Sequence, residues 1–257
     1  MSIRAHLVRR TDERGSHEPQ AEETMMKFMV MHKADAHSES EPKPTQELID
    51  NVGKLLQDAM ANGTFVDGAG LRASRHRARV TAEGGVQQGP YTGANELVSE
   101  VAHFKVDSMS EALAWGAKFA KAAGASEVEV GRVTEPWDLG VVPPPEGHVP
   151  VQTLALAKAT PQSEAGAVRP ELAAFLDEAR AAGVLVGAHS LFPSAQATRL
   201  QGPKGARQVV DGPFSESKEL VGGFLILHFE SQARAVEFAR RYADVVGTPE
   251  VDVREVR

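Results

Sequence analysis

The residues best placed to do chemistry are Asp211, Gly212, Pro213 and Phe214, which run on into Ser215, Glu216, Ser217, Lys218, Glu219 and Leu220. A carboxylate in a cleft beside a cation is the usual material of general acid–base catalysis. Asp211 is therefore a candidate proton-transfer group, with Lys218 to hold an anionic ligand and Glu216 and Phe214 on the same binding surface. The competing reading is turn chemistry, in which Asp accepts backbone N–H bonds, Gly permits unusual backbone angles and Pro fixes the next φ. His189 alternates along a strand with Leu185 and Leu191 and is the second catalytic candidate, a proton carrier directed between sheets. His32 shares a strand face with Phe28 and Val30 and is a further candidate for ligand binding. For both histidines the alternative is a satisfied core or rim side chain. His103 and His228 also fall on strands.

The stretch has a second version. Gln88, Gly89, Pro90, Tyr91, Thr92, Gly93, Ala94, Asn95, Glu96 and Leu97 repeat it with most charges removed, and the offset of 123 residues from Gly89 to Gly212 holds to the C-terminus. Fixed self-similarity of this kind marks a duplicated structural unit.

Composition bounds the function. The 257 residues are 42% hydrophobic and 25% charged, with a formal net charge of −7 and no cysteine. That is a globular composition. It excludes disulfides, thiol catalysis and Cys-type zinc sites, and no basic cluster points to nucleic acid. No His-x-His, His-Glu-x-x-His, Walker loop or Gly-x-Ser-x-Gly elbow is present, so neither a metal nor a cofactor is expected. No apolar run reaches the roughly 20 residues that span a bilayer, and a cytoplasmic location is expected.

The elements that must position these residues read as follows. Residues 1–24 are polar and aperiodic, a tail expected to be disordered, with translation starting at Met1 or at Met25/Met26. Met26 to Lys33 alternates as a strand. Thr45 caps a helix presenting Leu48, Val52, Leu55, Leu56 and Ala59. A strand from Thr64, a hairpin about Glu83-Gly84-Gly85, a strand from Leu97 to Val106, a helix opened by the Ser108–Glu111 capping box and a strand from Glu127 complete residues 25–139. Residues 140–150 hold three consecutive prolines and form a stiff spacer. The programme then repeats over residues 151–257. Arg75, Arg77 and Arg79 alternate to one strand face, read here as an exposed edge blunted by charge.

Each half is strand, helix, strand with hairpin, strand, helix, strand. The fold class is therefore α+β, two ferredoxin-like (βαββαβ) lobes whose open sheet faces pack on each other as an intramolecular dimeric α+β barrel. The spacing of Asp211, Gly212, Pro213, Phe214, Glu216, Lys218 and Glu219, with the opening Met26 to Asp35, resembles tandem YCII-related domains of the DGPF subgroup, whose motif is close to Asp-Gly-Pro-Phe-Ala-Glu-Thr-Lys-Glu. The first half departs at Gln88, Gly93 and Asn95. Arg72 and Phe192 stand where many relatives carry His. The resemblance implies a barrel made by paired domains, relatives by fold among cofactor-independent monooxygenases and lactone isomerases, and, for some members, a link to extracytoplasmic-function sigma factors. The expected function is small-molecule binding with acid–base activity in the C-terminal lobe. The alternative is a regulatory or interaction protein partnered by a sigma factor or by self-association.

Overall fold

The computed structural model describes residues 25–93, 96–214 and 220–257. In chain order the strands and helices are β1 (Met26–Lys33), α1 (Ala36–Glu39), α2 (Gln46–Ala61), β2 (Phe65–Gly70), β3 (Arg77–Val80), β4 (Val86–Gln88), β5 (Val98–Val106), α3 (Met109–Ala123), β6 (Val128–Arg132), β7 (Val151–Lys158), α4 (Pro161–Glu164), α5 (Pro170–Ala181), β8 (Leu185–Ser190), β9 (Thr198–Gln201), β10 (Gln208–Asp211), β11 (Val221–Phe229), α6 (Gln232–Val246) and β12 (Glu250–Glu255). The helix starts follow the sequence signals. The hydroxyls of Thr45, Ser108 and Ser231 each accept from a backbone N–H three residues on, satisfying a donor that the first turn leaves without a partner.

The strands form two six-stranded sheets, ordered β10-β9-β12-β1-β11-β2 and β4-β3-β6-β7-β5-β8, and every strand pair is antiparallel. This differs from the expectation that each half builds its own sheet. The first sheet combines β1 and β2 with β9 to β12, and the second takes β3 to β8. The proline-rich segment therefore does not separate two sheets. It links β6 to β7, which are neighbours in one sheet. The physical reason is that alternation fixes which face a side chain takes, not which strand lies alongside. Met29, Met31 and Lys33 on β1 and Leu154, Leu156 and Lys158 on β7 carry the same pattern, so either strand suits either sheet.

The chain crosses between sheets at two equivalent points. Beyond β2, Leu71 forms a bridge with Val133, and beyond β8, Leu191 forms one with Val256. Three apolar clusters define the layers. Phe28 and Val30 of β1 pack with Phe238 and Tyr242 of α6 on the outside of the first sheet. Phe104, Phe119 and Phe175 pack α3 and α5 on the outside of the second. Between them Met29, Met31, Phe224 and Ile226 meet Val98, Val101, Leu154 and Leu156. The fold is thus helices, sheet, sheet, helices, with the central cluster joining the inner faces.

Leu154 is fully buried in that central cluster. Leu154→Ala removes packing that both sheets share, so it is expected to cost about 2–5 kcal/mol. Urea unfolding of the two proteins measures the difference.

Candidate functional site

The motif turn is anchored from beneath. Gly212–Pro213 is a cis peptide, as is Gly89–Pro90. A Cβ at Gly212 would lie 1.7 Å from the carbonyl oxygen of Ser194, and one at Gly89 would lie 1.8 Å from that of Ser74. Only glycine permits this approach. Ser194 is held in turn by Glu164, whose carboxylate accepts from its backbone N–H at 2.9 Å and from its hydroxyl. Glu39 does the same for Ser74, at 3.0 Å and 2.5 Å. The Phe214 N–H donates to Ser194 Oγ at 3.2 Å.

This anchoring lays the aromatic residue over an arginine. The Arg199 guanidinium sits 4.3 Å from the Phe214 ring centre, and that of Arg79 sits 4.0 Å from Tyr91. Each arginine enters a buried ion cluster on the inner face of its sheet. Arg199 donates from Nε and a terminal nitrogen to Asp252, at 2.6 Å and 3.1 Å. Lys33 Nζ lies 3.0 Å from Asp252 Oδ2, and Glu250 lies 3.2 Å from Arg199 Nε. In the other sheet Arg79 donates to Glu96 at 2.7 Å, Lys158 contacts Glu96 directly, and Glu129 accepts from Arg77 at 2.9 Å. Asp252, Glu129, Glu96, Lys33 and Arg77 are all almost wholly buried. Burial raises the Asp252 carboxyl, but Lys33 and Arg199 outweigh it and hold the group below its ordinary value. Burial lowers the Lys158 ammonium, and the charges of Arg79, Lys33 and Arg77 act in the same direction. Its contacts with Glu96 and Glu129 oppose that shift.

Two sequence expectations change here. Arg77 and Arg79 do not blunt an exposed edge. β3 lies inside its sheet, between β4 and β6, and Arg77 is 1% exposed. The first-half stretch, with most charges removed in sequence, makes the same cis Gly-Pro turn and the same aromatic cover, and its Glu96 pairs with Arg79 and Lys158. The part played by Glu39 and Glu164 was not read from the sequence. The 125-residue spacing between them, matching that of Lys33 and Lys158, is the signal that could have found them.

The candidate residues are distributed as follows. Asp211 is exposed at the end of β10, accepts from Thr198 Oγ1 at 3.1 Å and lines an open groove with Thr198, Gln196, Val209, Gln232 and Val236. Gln232 also donates to Thr198 Oγ1, at 2.7 Å. His189 lies on β8 in the other sheet, its ring 6.4 Å from that of Phe224. The structure does not bring Asp211 and His189 together. Glu216 and Lys218 lie outside the described residues. His32 faces α6 rather than the space between the sheets: its Nδ1 is 2.8 Å from the Tyr242 hydroxyl, and its ring fills the space above Gly222 and Gly223. Burial, then the charges of Arg77 and Lys33, lowers it to about 4. Among the described residues no group of His, Asp and Glu is arranged to hold a metal, and no helix is long and apolar enough to cross a membrane.

The strand order, the turn and its buried partners can now be set beside known proteins. Residues 151–256 match the YCII-related domain. No curated protein and no solved structure matches the chain. The YCII-related segment runs from β7 to β12, so it contributes two strands to one sheet and four to the other. It contains Arg199, Phe214 and Asp252, but the ion cluster they form is completed by Lys33 from outside it.

Two outcomes follow. Asp252→Ala leaves Lys33 and Arg199 buried without their shared carboxylate and is expected to cost about 3–5 kcal/mol, read by chemical denaturation. His32 is held neutral in the folded protein, with its pKa lowered from 6.5 to about 4. Its contribution is therefore complete above pH 6.5 and lost as pH falls toward 4. His32→Gln is expected to flatten that part of the stability–pH curve. The same slope in both proteins would refute the assignment.

Proposed function

We propose that the protein is a small-molecule-binding α+β barrel in which the YCII-related half carries the working site, at Asp211. The barrel reading is supported by the bridges at Leu71 and Leu191 and by the apolar cluster shared between the inner faces. Two ferredoxin-like units complete it, each assembled across the duplication: β1-α2-β2 with β11-α6-β12, and β7-α5-β8 with β5-α3-β6. The order β12-β1-β11-β2 and its counterpart β6-β7-β5-β8 support this division.

The observation that carries the site is the setting of Asp211. Thr198 and Gln232 form a hydrogen-bonded row beside it, and the carboxylate lines an open groove with no ion pair among the described residues. A solvated carboxylate with one oxygen fixed by a hydroxyl is suited to accept a proton from a bound ligand. The buried Arg199–Asp252–Lys33 cluster beneath keeps the turn rigid, and Glu216 and Lys218 extend the proposed surface in sequence. A site on a rigid scaffold loses less freedom on binding.

The test is a thermal-shift screen of small acids, phenols and lactones against the wild type and Asp211→Asn. At least one class is expected to raise the melting temperature of the wild type by several degrees and to lose that effect in the variant. Ligands that stabilise both proteins equally would remove Asp211 from the site.

A further inference from the structure

A second polar cluster lies on the inner faces of the sheets, away from the motif turns. Register sets His189 opposite Val101 and His103 opposite Gly187. Val101 belongs to the central cluster, so both histidines share its face. In the first sheet Asp67 stands opposite Ile226, another member of that cluster. Asp67 on β2 thus confronts β8, one sheet edge facing the other. The charge of Lys27 on β1 acts on His189, and Gln152 on β7 lies beside His103 and donates to Glu135 at 3.0 Å.

This cluster differs from the paired ion networks. His103 is 8% exposed, and among the described residues neither ring nitrogen makes a hydrogen bond of good geometry, with Gln152 close by as its nearest polar neighbour. A buried polar group in that condition requires a partner. The space for one is next to it. A Cβ built on Gly187 would have only Asp67 Oδ2 and His189 Nε2 within 4 Å, each at 4.0 Å. A carboxylate and an imidazole therefore wall a recess that can hold at least a methyl group, and the backbone at Gly187 needs no glycine-specific angle.

We propose that this recess binds a small hydroxycarboxylate, the hydroxyl donating to Asp67 and the carboxylate accepting from Lys27 and from the imidazole N–H groups of His189 and His103. The chemistry follows from the donor set. Asp67 Oδ1 already accepts from the Gly68 N–H at 2.8 Å, leaving Oδ2 to face the recess. Burial lowers both imidazoles, and a neutral imidazole offers one N–H and one acceptor nitrogen. Phe224 supplies an apolar wall beside His189. A ligand with a hydroxyl next to a carboxylate satisfies both signs of the site. A bare carboxylate would leave Asp67 facing an anion unopposed. The site is distinct from the Asp211 groove, and neither proposal depends on the other.

Glycolate is the probe and acetate its control. Ring-proton NMR of the wild type is expected to show saturable glycolate shifts at His189 and His103, with acetate binding roughly tenfold more weakly for want of the hydrogen bond to Asp67. Gly187→Val fills the recess beside Asp67 and His189 without removing a charged group and is expected to abolish the shifts. Asp67→Asn and Lys27→Met should each weaken glycolate by about tenfold, and Gly187→Ala gives a milder block if valine disturbs the strand. The Asp211→Asn protein should bind glycolate as the wild type does. Unshifted histidines at saturating glycolate, equal affinity for acetate, or undiminished binding by folded Gly187→Val and Gly187→Ala would each overturn the proposal.

Discussion

Arg77 lies across the gap between the two sheets. Its guanidinium is held by Glu129 of its own sheet and donates at 2.8 Å to the carbonyl of Val221 in the other. Arg254 makes the return connection, donating to the carbonyl of Val98 at 3.3 Å. Val98 and Val221 are the first residues of β5 and β11, and they hold matching positions in the two halves. The two arginines themselves are not equivalent. Gly131 occupies the position matching Arg254, and Ala197 that matching Arg77. In each half one strand supplies the arginine and its neighbour supplies the small residue. A Cβ on Gly131 would fall 3.1 Å from the Arg77 side chain, which explains why both members of the neighbouring pair are not large. Removing charges from water is costly unless every donor is met, so these cross-sheet bonds constrain how the inner faces meet. Apolar contact alone would permit sliding.

The same requirement accounts for the motif. Gly-Pro, a following aromatic ring and a buried carboxylate recur in both halves, because an arginine on β3 or β9 must be covered and neutralised. Loss of Asp and Lys from the first-half stretch leaves that work undisturbed. What differs between the halves is the polar surface next to the turn, where Asp211 has Gln88 as its counterpart. The two halves thus share the buried framework of the turn and differ in the surface beside it.

Polar groups on the inner faces fall into two kinds. Residues near the motif turns each make at least one ion pair or hydrogen bond, although single atoms such as Arg79 Nε, Glu129 Oε2 and Arg254 Nε have no hydrogen-bond partner among the described residues. Those at the β2–β8 seam include a buried imidazole that makes no hydrogen bond of good geometry to a described residue.

Alternation, capping hydroxyls and repeated turns made the element list and the α+β class legible in the sequence. They placed Phe28, Val30 and His32 on one face of β1 and Met29 and Met31 on the other, as found. Which strands pair across the halves, that His32 rests against Tyr242, and that Arg77 and Arg79 are interior were decided by tertiary structure alone. Period-two patterning specifies a face but not a neighbour, and a charged side chain reads as exposed until its partner, here 52 residues away at Glu129, is brought beside it. For the same reason the sequence marked Asp211 and His189 as reactive types, and only the folded chain put them on different sheets.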